Sequence, residues 1–312
     1  MLDNLFEINS MLAVIFILFL LVISNIIVIV LKNKNKHKNY HELDLRIRSW
    51  WWMIGLIVTA LALGKIATIV FFGFISFLAL KEFFSIVPTR MADRRLIFWA
   101  YLAIPLQYYW VGSSWYGMFL IFIPLYVFLF LPMRAVLLGE TQGFIRANAI
   151  IHWSLMLCVF SFSHLAYIAN LDIKNSAAGF AGPILFIIFM TEFNDVCQYV
   201  WGKSLGRHKI LPKVSPNKTW EGFIGGLLST VLISGIIAPL LTPLSYMHGF
   251  IVGLVIGLAG FIGDVVISCV KRDLQIKDTS TLIPGHGGLL DRIDSLMYTS
   301  PLFFHYLFYF YY

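Results

Sequence analysis

Long runs of apolar residues constrain this chain more than any other feature of its sequence. Residues 10–31 contain no charged side chain, and nearly forty residues from Trp50 to Val87 are interrupted only at Gly64-Lys65 and Lys81-Glu82. A helix that crosses a bilayer needs about 20 such residues. Charged residues make up only 12% of the chain, whereas a soluble domain carries about 25%. The sequence therefore predicts an integral membrane protein and excludes a soluble enzyme, a disordered chain and a secreted disulfide scaffold.

The apolar runs predict an all-α, polytopic helical bundle with about 9–10 transmembrane segments. The first run is expected to be a retained helix, because it is too long for a signal peptide and ends in a basic run without a cleavage site. The stretch from Trp50 to Val87 predicts two helices that turn near Gly64-Lys65. The remaining segments are predicted at 96–111, 115–131, 148–169, 177–200, 221–243, 246–270 and 289–311, with short turns at 112–114 and 170–175.

The basic residues indicate how the segments are oriented. They collect in five connections, and two apolar segments separate each connection from the next: 32–48, 90–95, 132–147, 201–220 and 271–292. All five therefore lie on one side, which the positive-inside rule makes the cytoplasm. The net charge of +7 then reflects these loops and not a nucleic-acid site. We expect a multi-pass protein of a bacterial inner membrane, with its N-terminus outside.

Three regions follow from this pattern. Residues 1–49 are expected to form a transmembrane helix and a basic cytoplasmic loop, and residues 50–190 a helical membrane region that gives access to a lipid. Residues 191–312 are expected to hold the catalytic chemistry. Eight of the sixteen acidic residues lie between Glu192 and Asp294, although a charge at membrane depth costs about 2.5–3.5 kcal/mol on insertion scales.

The acidic residues near the end of the chain have the spacing of a cation site. On a helix over 260–272, Asp264 and Ser268 share a face with Lys271 or Arg272, and Asp291 and Asp294 share a face of the next helix. Carboxylates in an apolar setting suit a hard divalent cation such as Mg²⁺, and neighbouring cations suit a phosphate. A structural salt bridge within the bundle is the alternative for Asp264.

A second cluster precedes the segment at 221–243. Ser215, Lys218 and Thr219 place two hydroxyls and an ammonium in an expected turn, and Glu221 lies in the first helical turn after it. Gly222, Gly225 and Gly226 permit close helix packing. The cluster could hold a triphosphate, although it is not a Walker A loop and a basic cytoplasmic loop would look similar.

Together the two clusters closely resemble the phosphatidate cytidylyltransferase (CDP-diacylglycerol synthase) family. The resemblance covers residues 190–296 in detail. One position differs: this chain has Gln198 where many members have alanine. The signature matches the family spacing at Ser268, Lys271, Arg272, Lys277, Asp278, Pro284, His286, Gly287, Gly288, Asp291, Arg292 and Asp294.

The resemblance implies transfer of CMP from CTP to phosphatidate, with CDP-diacylglycerol and pyrophosphate as products and Mg²⁺ or another divalent cation as cofactor. It assigns the cation to Asp264 and Asp291, with Asp294 as a ligand or a support. It assigns the binding of the triphosphate to Ser215, Lys218 and Thr219. Asp195 and Glu221 would orient the cytidine or a second cation, and Lys271 and Arg272 would neutralise the phosphates. A homodimer is a further expectation, and no nucleic acid is expected as a partner.

Two other functions have sequence patterns that overlap with this one. A CTP-dependent polyprenol or lipid kinase would need a similar nucleotide site, and analysis of the products separates it from a cytidylyltransferase. A transporter with an acidic pathway would place its charges near the bilayer midplane on broken helices. The expected position of the charges at helix ends and loops favours an enzyme.

Overall fold

A computed structural model describes residues 7–34, 40–90, 93–139, 141–171 and 177–312. Residues 172–175 of the predicted turn at 170–175 and parts of the basic connections at 32–48, 90–95 and 132–147 lie outside these ranges. The described residues form ten helices: α1 (Ile8–Lys34), α2 (His41–Ala62), α3 (Lys65–Ile86), α4 (Arg94–Gly112), α5 (Tyr116–Val136), α6 (Phe144–Ile168), α7 (Ala181–Leu205), α8 (Trp220–Leu241), α9 (Tyr246–Asp273) and α10 (Leu290–Tyr311).

The all-α, polytopic prediction is confirmed. Within the described ranges, seven helices are long and apolar enough to cross a membrane, namely all except α2, α4 and α10. The helix α10 carries Asp291, Arg292 and Asp294 in its first turns, and four of the first eight residues of α2 are charged. These charges interrupt otherwise apolar helices, as expected where a helix leaves the apolar layer.

The predicted turn near Gly64-Lys65 is also confirmed. Gly64 has φ +98°, a backbone conformation that side chains with a Cβ rarely adopt, so glycine allows α2 to end and α3 to begin directly afterwards. The hydroxyl of Thr68 in α3 donates to the carbonyl of Ala60 in α2 at 3.1 Å, which holds the two helices together across the turn.

One local prediction is wrong. The segment at 215–219, expected to be a turn, is a strand: β2 (Ser215–Thr219) pairs antiparallel with β1 (Lys209–Leu211), and the turn lies between them. The strand ends at Thr219, which is extended with φ −126° and whose hydroxyl accepts from Gly222 N at 3.2 Å as the N-cap of α8. The hairpin keeps its backbone groups paired although it is not helical.

The core lies among the middle helices, and α1 is attached at its edge. In α6, 61% of the apolar span is buried, against 17% in α1. The largest fully buried side chains include Phe119, Phe162 and Phe186, with Phe303 and Phe304 of α10. The helices α7, α8, α9 and α10 contribute to this core and carry both polar clusters.

Glycines bring these four helices unusually close together. A Cβ on Gly222 of α8 would lie 2.7 Å from the carbonyl oxygen of Gln198 and 2.8 Å from the Cα of Gly202, both in α7. A Cβ on Gly263 of α9 would lie 3.0 Å from the Cα of Ser295 in α10. The predicted close packing at Gly222, Gly225 and Gly226 is therefore confirmed, and it brings polar residues of different helices into contact.

Candidate active site

Two cavities open at the end of the bundle where the hairpin lies. The first, here called the hairpin cavity, has a volume of about 540 Å³. Its charged and hydroxyl-bearing lining residues are Asp195, Tyr199, Lys203, Lys209, Ser215, Lys218, Thr219 and Asp264. The structure thus brings Ser215, Lys218 and Thr219 to one cavity, together with two further lysines. This concentration of cationic and hydroxyl donors suits a polyphosphate.

Lys218 connects the hairpin to α9. Its ammonium forms an ion pair with Asp264 at 2.5 Å and lies 4.6 Å from the centre of the Phe261 ring. The second carboxylate oxygen of Asp264 accepts from the hydroxyl of Ser268, one turn later, at 3.1 Å. The predicted helical face of Asp264 and Ser268 is therefore present, and its carboxylate faces the hairpin cavity.

Thr219 and Glu221 mainly shape the hairpin. The Thr219 hydroxyl caps α8, and the Glu221 carboxylate accepts from the backbone N–H groups of Arg207, at 3.0 Å, and His208. Glu221 also contacts His208 Nδ1 at 2.6 Å. These contacts hold the segment between α7 and β1 against the first turn of α8, and Glu221 does not line either cavity.

The second cavity, here called the loop cavity, has a volume of about 1020 Å³. It lies between α1, α2, α7, α9, α10 and the loop at 274–289 that joins α9 to α10. Its charged lining residues are Glu42, Arg46, Glu192, Asp195, Asp264, Lys271, Lys277, Asp278, Asp291, Arg292 and Asp294. Asp195, Tyr199 and Asp264 line both cavities, so the two cavities meet at these residues.

Three carboxylates face one another where the cavities meet. Asp195, Asp264 and Asp294 are close enough for each pair to interact electrostatically. The hydroxyl of Ser295 donates to Asp195 Oδ2 at 3.1 Å, and the N–H of Ser295 donates to Asp294 at 2.7 Å. Asp294 lies in the second turn of α10, Asp264 in the second half of α9 and Asp195 just past the centre of α7, so the group lies between the hairpin end and the middle of the bundle.

Asp291 lies at the start of α10 and is paired differently. Its Oδ1 accepts from the ammonium of Lys271 at 2.7 Å, and its Oδ2 accepts from the N–H groups of Thr279, at 2.9 Å, and Gly288, at 3.0 Å. The structure therefore joins Asp291 to Lys271 in one charge pair. Any cation that bound at Asp291 would compete with Lys271.

Arg272 points away from both cavities. Its Nε donates to the carbonyl of Val214 at 3.2 Å, which ties the end of α9 to the hairpin turn, and it lines neither cavity. Arg292 instead lines the loop cavity, and its buried Nε has no hydrogen-bond partner among the described residues. Arg292 belongs to the signature, but the sequence alone indicated no role for it.

Glu82 of α3 was also missed as a site residue. It is buried, its Oε1 accepts from the hydroxyl of Thr279 and from Leu290 N, and its Oε2 accepts from Leu289 N at 2.9 Å. An acidic residue in an apolar helix was a signal that something polar faces it. The partner loop, about 200 residues later in the chain, could not be identified from spacing.

His286 is a poor general base in this setting. Burial, together with the guanidinium groups of Arg292 and Arg46, lowers the pKa of His286 to about 4. The ring lies edge-on to Trp50 at 5.9 Å between ring centres. A group with this pKa is neutral at physiological pH and removes protons weakly, which agrees with a role in shaping the loop.

The donors at the meeting point suit a hard cation. Among the described residues, no three His, Cys, Asp or Glu side chains form a ready-made metal cluster. However, Asp195 Oδ1 is buried without a hydrogen-bond partner, and Asp294 is only 7% exposed without a Lys, Arg or His nitrogen within 4 Å in the part of the chain that is described. Buried carboxylates of this kind need a compensating positive charge.

Comparison with known proteins adds an independent finding. The model of the cytidylyltransferase family matches residues 44–310. The uncharacterized protein YnbB of Escherichia coli (strain K12) is 42% identical over 266 residues, which are 85% of this chain and 87% of that protein. The phosphatidate cytidylyltransferases of Staphylococcus aureus (strain COL) and Staphylococcus epidermidis (strain ATCC 12228 / FDA PCI 1200) are each 38% identical over 120 residues, which are 38% of this chain and 46% of theirs. A family match that begins in α2 and ends in α10 shows that this multi-pass membrane protein is a nucleotidyltransferase that belongs to the cytidylyltransferase family.

Proposed function

We propose that the protein transfers CMP from CTP to phosphatidate, which gives CDP-diacylglycerol and pyrophosphate for phospholipid biosynthesis. The observation that carries this proposal is the meeting of two cavities at Asp195, Tyr199 and Asp264. One cavity has the lysines that suit a triphosphate, and the other reaches the lipid-facing helix α1. The staphylococcal relatives, which carry the name of this activity, support the same substrate.

The reaction requires positioning and charge compensation more than a protein nucleophile. An oxygen of the phosphatidate phosphate, which is already ionised, attacks the α-phosphorus of CTP. The bond between that phosphorus and the bridging oxygen to the β-phosphate breaks, and pyrophosphate leaves with the electron pair. Lys218, with Lys203 and Lys209, would hold the triphosphate in the hairpin cavity, and Ser215 and Thr219 would shape its wall.

The other substrate would bind in the loop cavity. Lys271 and Arg292 would face the phosphate of phosphatidate there, since both line that cavity. We assign Arg272 to supporting the hairpin through Val214. The cavity has more acidic than basic lining residues, so the phosphate needs additional positive charge.

A divalent cation such as Mg²⁺ would supply that charge and polarise the phosphate oxygens. Asp294 would hold it together with Asp264, provided that Lys218 turned from Asp264 to the triphosphate. Asp195 would support them or hold a second cation, and Asp291 would contribute only if Lys271 released it in the same way. We also propose that this end of the bundle faces the cytoplasm, where CTP is made, and that the membrane is a bacterial inner membrane. A homodimer stays a prediction.

The test uses the purified full-length protein with phosphatidate, Mg²⁺ and CTP labelled in either the α- or the γ-phosphate. We expect the α-label to move to the lipid and the γ-label to leave as pyrophosphate. Movement of the γ-label to the lipid would instead identify a kinase. If neither label reaches the lipid, phosphatidate is not the substrate.

Two variants test the residues. Asp264→Asn keeps the shape of the side chain but removes its charge, so we expect a loss of about a hundredfold or more in kcat, the scale seen when one stabilising group is removed. Asp273→Asn is the matched control, because Asp273 is exposed at the end of the same helix and lines neither cavity. Full activity of the Asp264 variant would contradict the cation assignment.

A further inference from the structure

The helix α1 lies outside the family match, which begins at residue 44, yet it forms one wall of the loop cavity. Ser24, Ile27 and Val28 line that wall. We call the line along which α1 faces α7 the seam. On its α7 side, Val196 and Tyr199 are both exposed at the edge of the cavity. The cavity is therefore highly charged beside α10 and the 274–289 loop, whereas its α1 wall carries no charged residue and its α7 wall combines Val196 and Tyr199 with Glu192 and Asp195.

A second, apolar groove lies farther along the same two helices and shares no lining residue with the loop cavity. It has a volume of about 250 Å³ and is lined by Leu12, Ala13, Phe16 and Ile17 of α1, Leu185 and Phe189 of α7, Ile237, Leu240 and Leu241 of α8, and Asn9. The only polar side chain in this lining is that of Asn9, at the far end of α1. The groove therefore offers packing surface and almost no hydrogen bonds.

The groove and the loop cavity lie on one face of α7. Leu185 and Phe189 line the groove, and Glu192, Val196 and Tyr199 line the cavity. Steps of three and four residues keep side chains on one face of a helix. Because a helix rises about 1.5 Å per residue, the seven residues from Leu185 to Glu192 cover about 10 Å. The groove therefore starts within one helical turn of the loop cavity on α7 and extends toward the opposite end of the bundle, where Asn9 and Leu240 lie.

The helix α1 is held mainly at its ends, which leaves this seam open. At one end, the side chain of Asn9 donates to the carbonyl of Leu240 at 2.8 Å. At the other end, Lys32 forms an ion pair with Asp44 of α2 at 3.1 Å. Between these contacts only Ser10, Val14, Leu21 and Val28 are buried, and the last three recur once every two turns. A helix with so narrow a contact line can border a binding site without filling it.

We propose that the seam between α1 and α7 binds an acyl chain of the lipid phosphate substrate, and that α1 is a specificity element for that chain. This proposal rests on the proposed function, and it names where the apolar part of the substrate lies. A molecule with an anionic head and an apolar tail matches a charged cavity and an apolar groove that follow one another along the same face of α7. Its phosphate lies in the loop cavity beside Lys271 and Arg292, and its tail follows Val196, Phe189 and Leu185.

The first test uses kinetics with Ile17→Trp, which fills the groove, and with Ile15→Trp as a matched control. Ile15 is exposed on α1 and lines neither the groove nor the cavity. With long-chain phosphatidate, we expect Ile17→Trp to raise KM by about threefold or more, because the tail loses packing contacts. With a short-chain phosphatidate that does not reach the groove, KM and kcat should stay at the wild-type values. Equal effects on both chain lengths, or equal effects of the two variants, would overturn the proposal.

The second test does not depend on turnover. A phosphatidate with a photoreactive group near the end of one acyl chain is crosslinked to the wild-type protein, and the labelled peptides are identified by mass spectrometry. We expect labels in α1 and α7 that excess unlabelled phosphatidate removes and excess phosphatidylcholine leaves in place. Labels spread over all lipid-facing helices, or labels that both lipids remove equally, would mean that bulk lipid fills the groove. Specific labelling without any CDP-lipid product would retain this proposal and refute the proposed function.

Discussion

A single buried carboxylate, that of Glu82, connects the first half of the chain to the candidate active site. Its two oxygens accept from the Thr279 hydroxyl and from two backbone N–H groups at the start of α10. The same Thr279 hydroxyl lies 3.0 Å from Asp291, which pairs with Lys271. Glu82 therefore supports the geometry of Asp291 and Lys271 from a distance in sequence, without lining the loop cavity itself.

Replacement of Glu82 should destabilise the protein and disturb this network. In Glu82→Ala, the N–H groups of Leu289 and Leu290 lose their side-chain acceptor, whereas the Thr279 hydroxyl keeps Asp291. Each unsatisfied buried group costs about 1–3 kcal/mol. We expect a clearly lower Tm in detergent and a loss of activity, with Glu82→Gln between this variant and the wild type. Lys81→Ala is the control, because Lys81 is exposed one position earlier. Equal Tm values for the two alanine variants would show that the network carries no stability.

Sequence reasoning located the acidic residues of the site better than it located their partners. The i, i+4 spacing of Asp264 and Ser268 follows from helix geometry alone and is present in the structure. The partner of Asp291 could not be identified from spacing. Lys271 reaches Asp291 across a loop whose path depends on Glu82 and Thr279. Such long-range contacts are set by packing and leave no periodic signal in the sequence.

At the scale of the helices, the glycines of α8 decide how the two polar clusters meet. Gly222 contacts the backbone of α7 at Gln198 and Gly202, and it follows the hairpin by three residues. This close approach places Lys218, which lies two residues before the start of α8, where it can pair with Asp264 in α9. Direct contact between the backbones of α7 and α8 at glycine therefore positions the charged residues.

The variant Gly222→Ala should separate α7 from α8. The added Cβ would meet backbone atoms at 2.7 and 2.8 Å, and backbone cannot move aside as cheaply as a side chain can. We expect a destabilisation of about 1–3 kcal/mol, typical of overpacking, measured as a lower Tm together with a raised KM for CTP. Gly55→Ala in α2 is the control, since a Cβ there meets nothing within 4 Å. A Tm for Gly222→Ala at or above that of the control would refute the packing argument.

Helix positions followed from the sequence because apolar length is a strong signal, with one exception: α2 begins at His41, inside the segment 32–48 that was expected to be a loop, because its charged first turns carry no apolar signal. The hairpin did not follow. The segment from Ser215 to Thr219 has only five residues and contains Pro216, so a turn and a strand were hard to distinguish by pattern. Its pairing with residues 209–211 depends on α7 and α8, which hold the ends of the hairpin together.

At the scale of the whole molecule, the order of the helices places all the described parts of the basic connections at one end. Two contacts between connections agree with this arrangement: Arg46 Nε donates to Gly285 O at 3.0 Å, and Arg272 Nε donates to Val214 O at 3.2 Å. The opposite end brings together Asn9 and Leu240. Both cavities lie at the basic end, so the orientation of the bundle decides which compartment supplies the nucleotide.

Cysteine labelling tests that orientation. In a background with Cys158, Cys197 and Cys269 changed to alanine, Lys213→Cys reports on the hairpin turn and Ser113→Cys on the turn between α4 and α5. Both positions are exposed and lie at opposite ends of the bundle. We expect a membrane-impermeant maleimide to label Ser113→Cys in intact cells, and Lys213→Cys only after permeabilisation, because basic loops are retained in the cytoplasm. The reverse pattern would place both cavities outside, where cytosolic CTP could not reach them, and equal labelling of both positions would contradict the alternation of the helices.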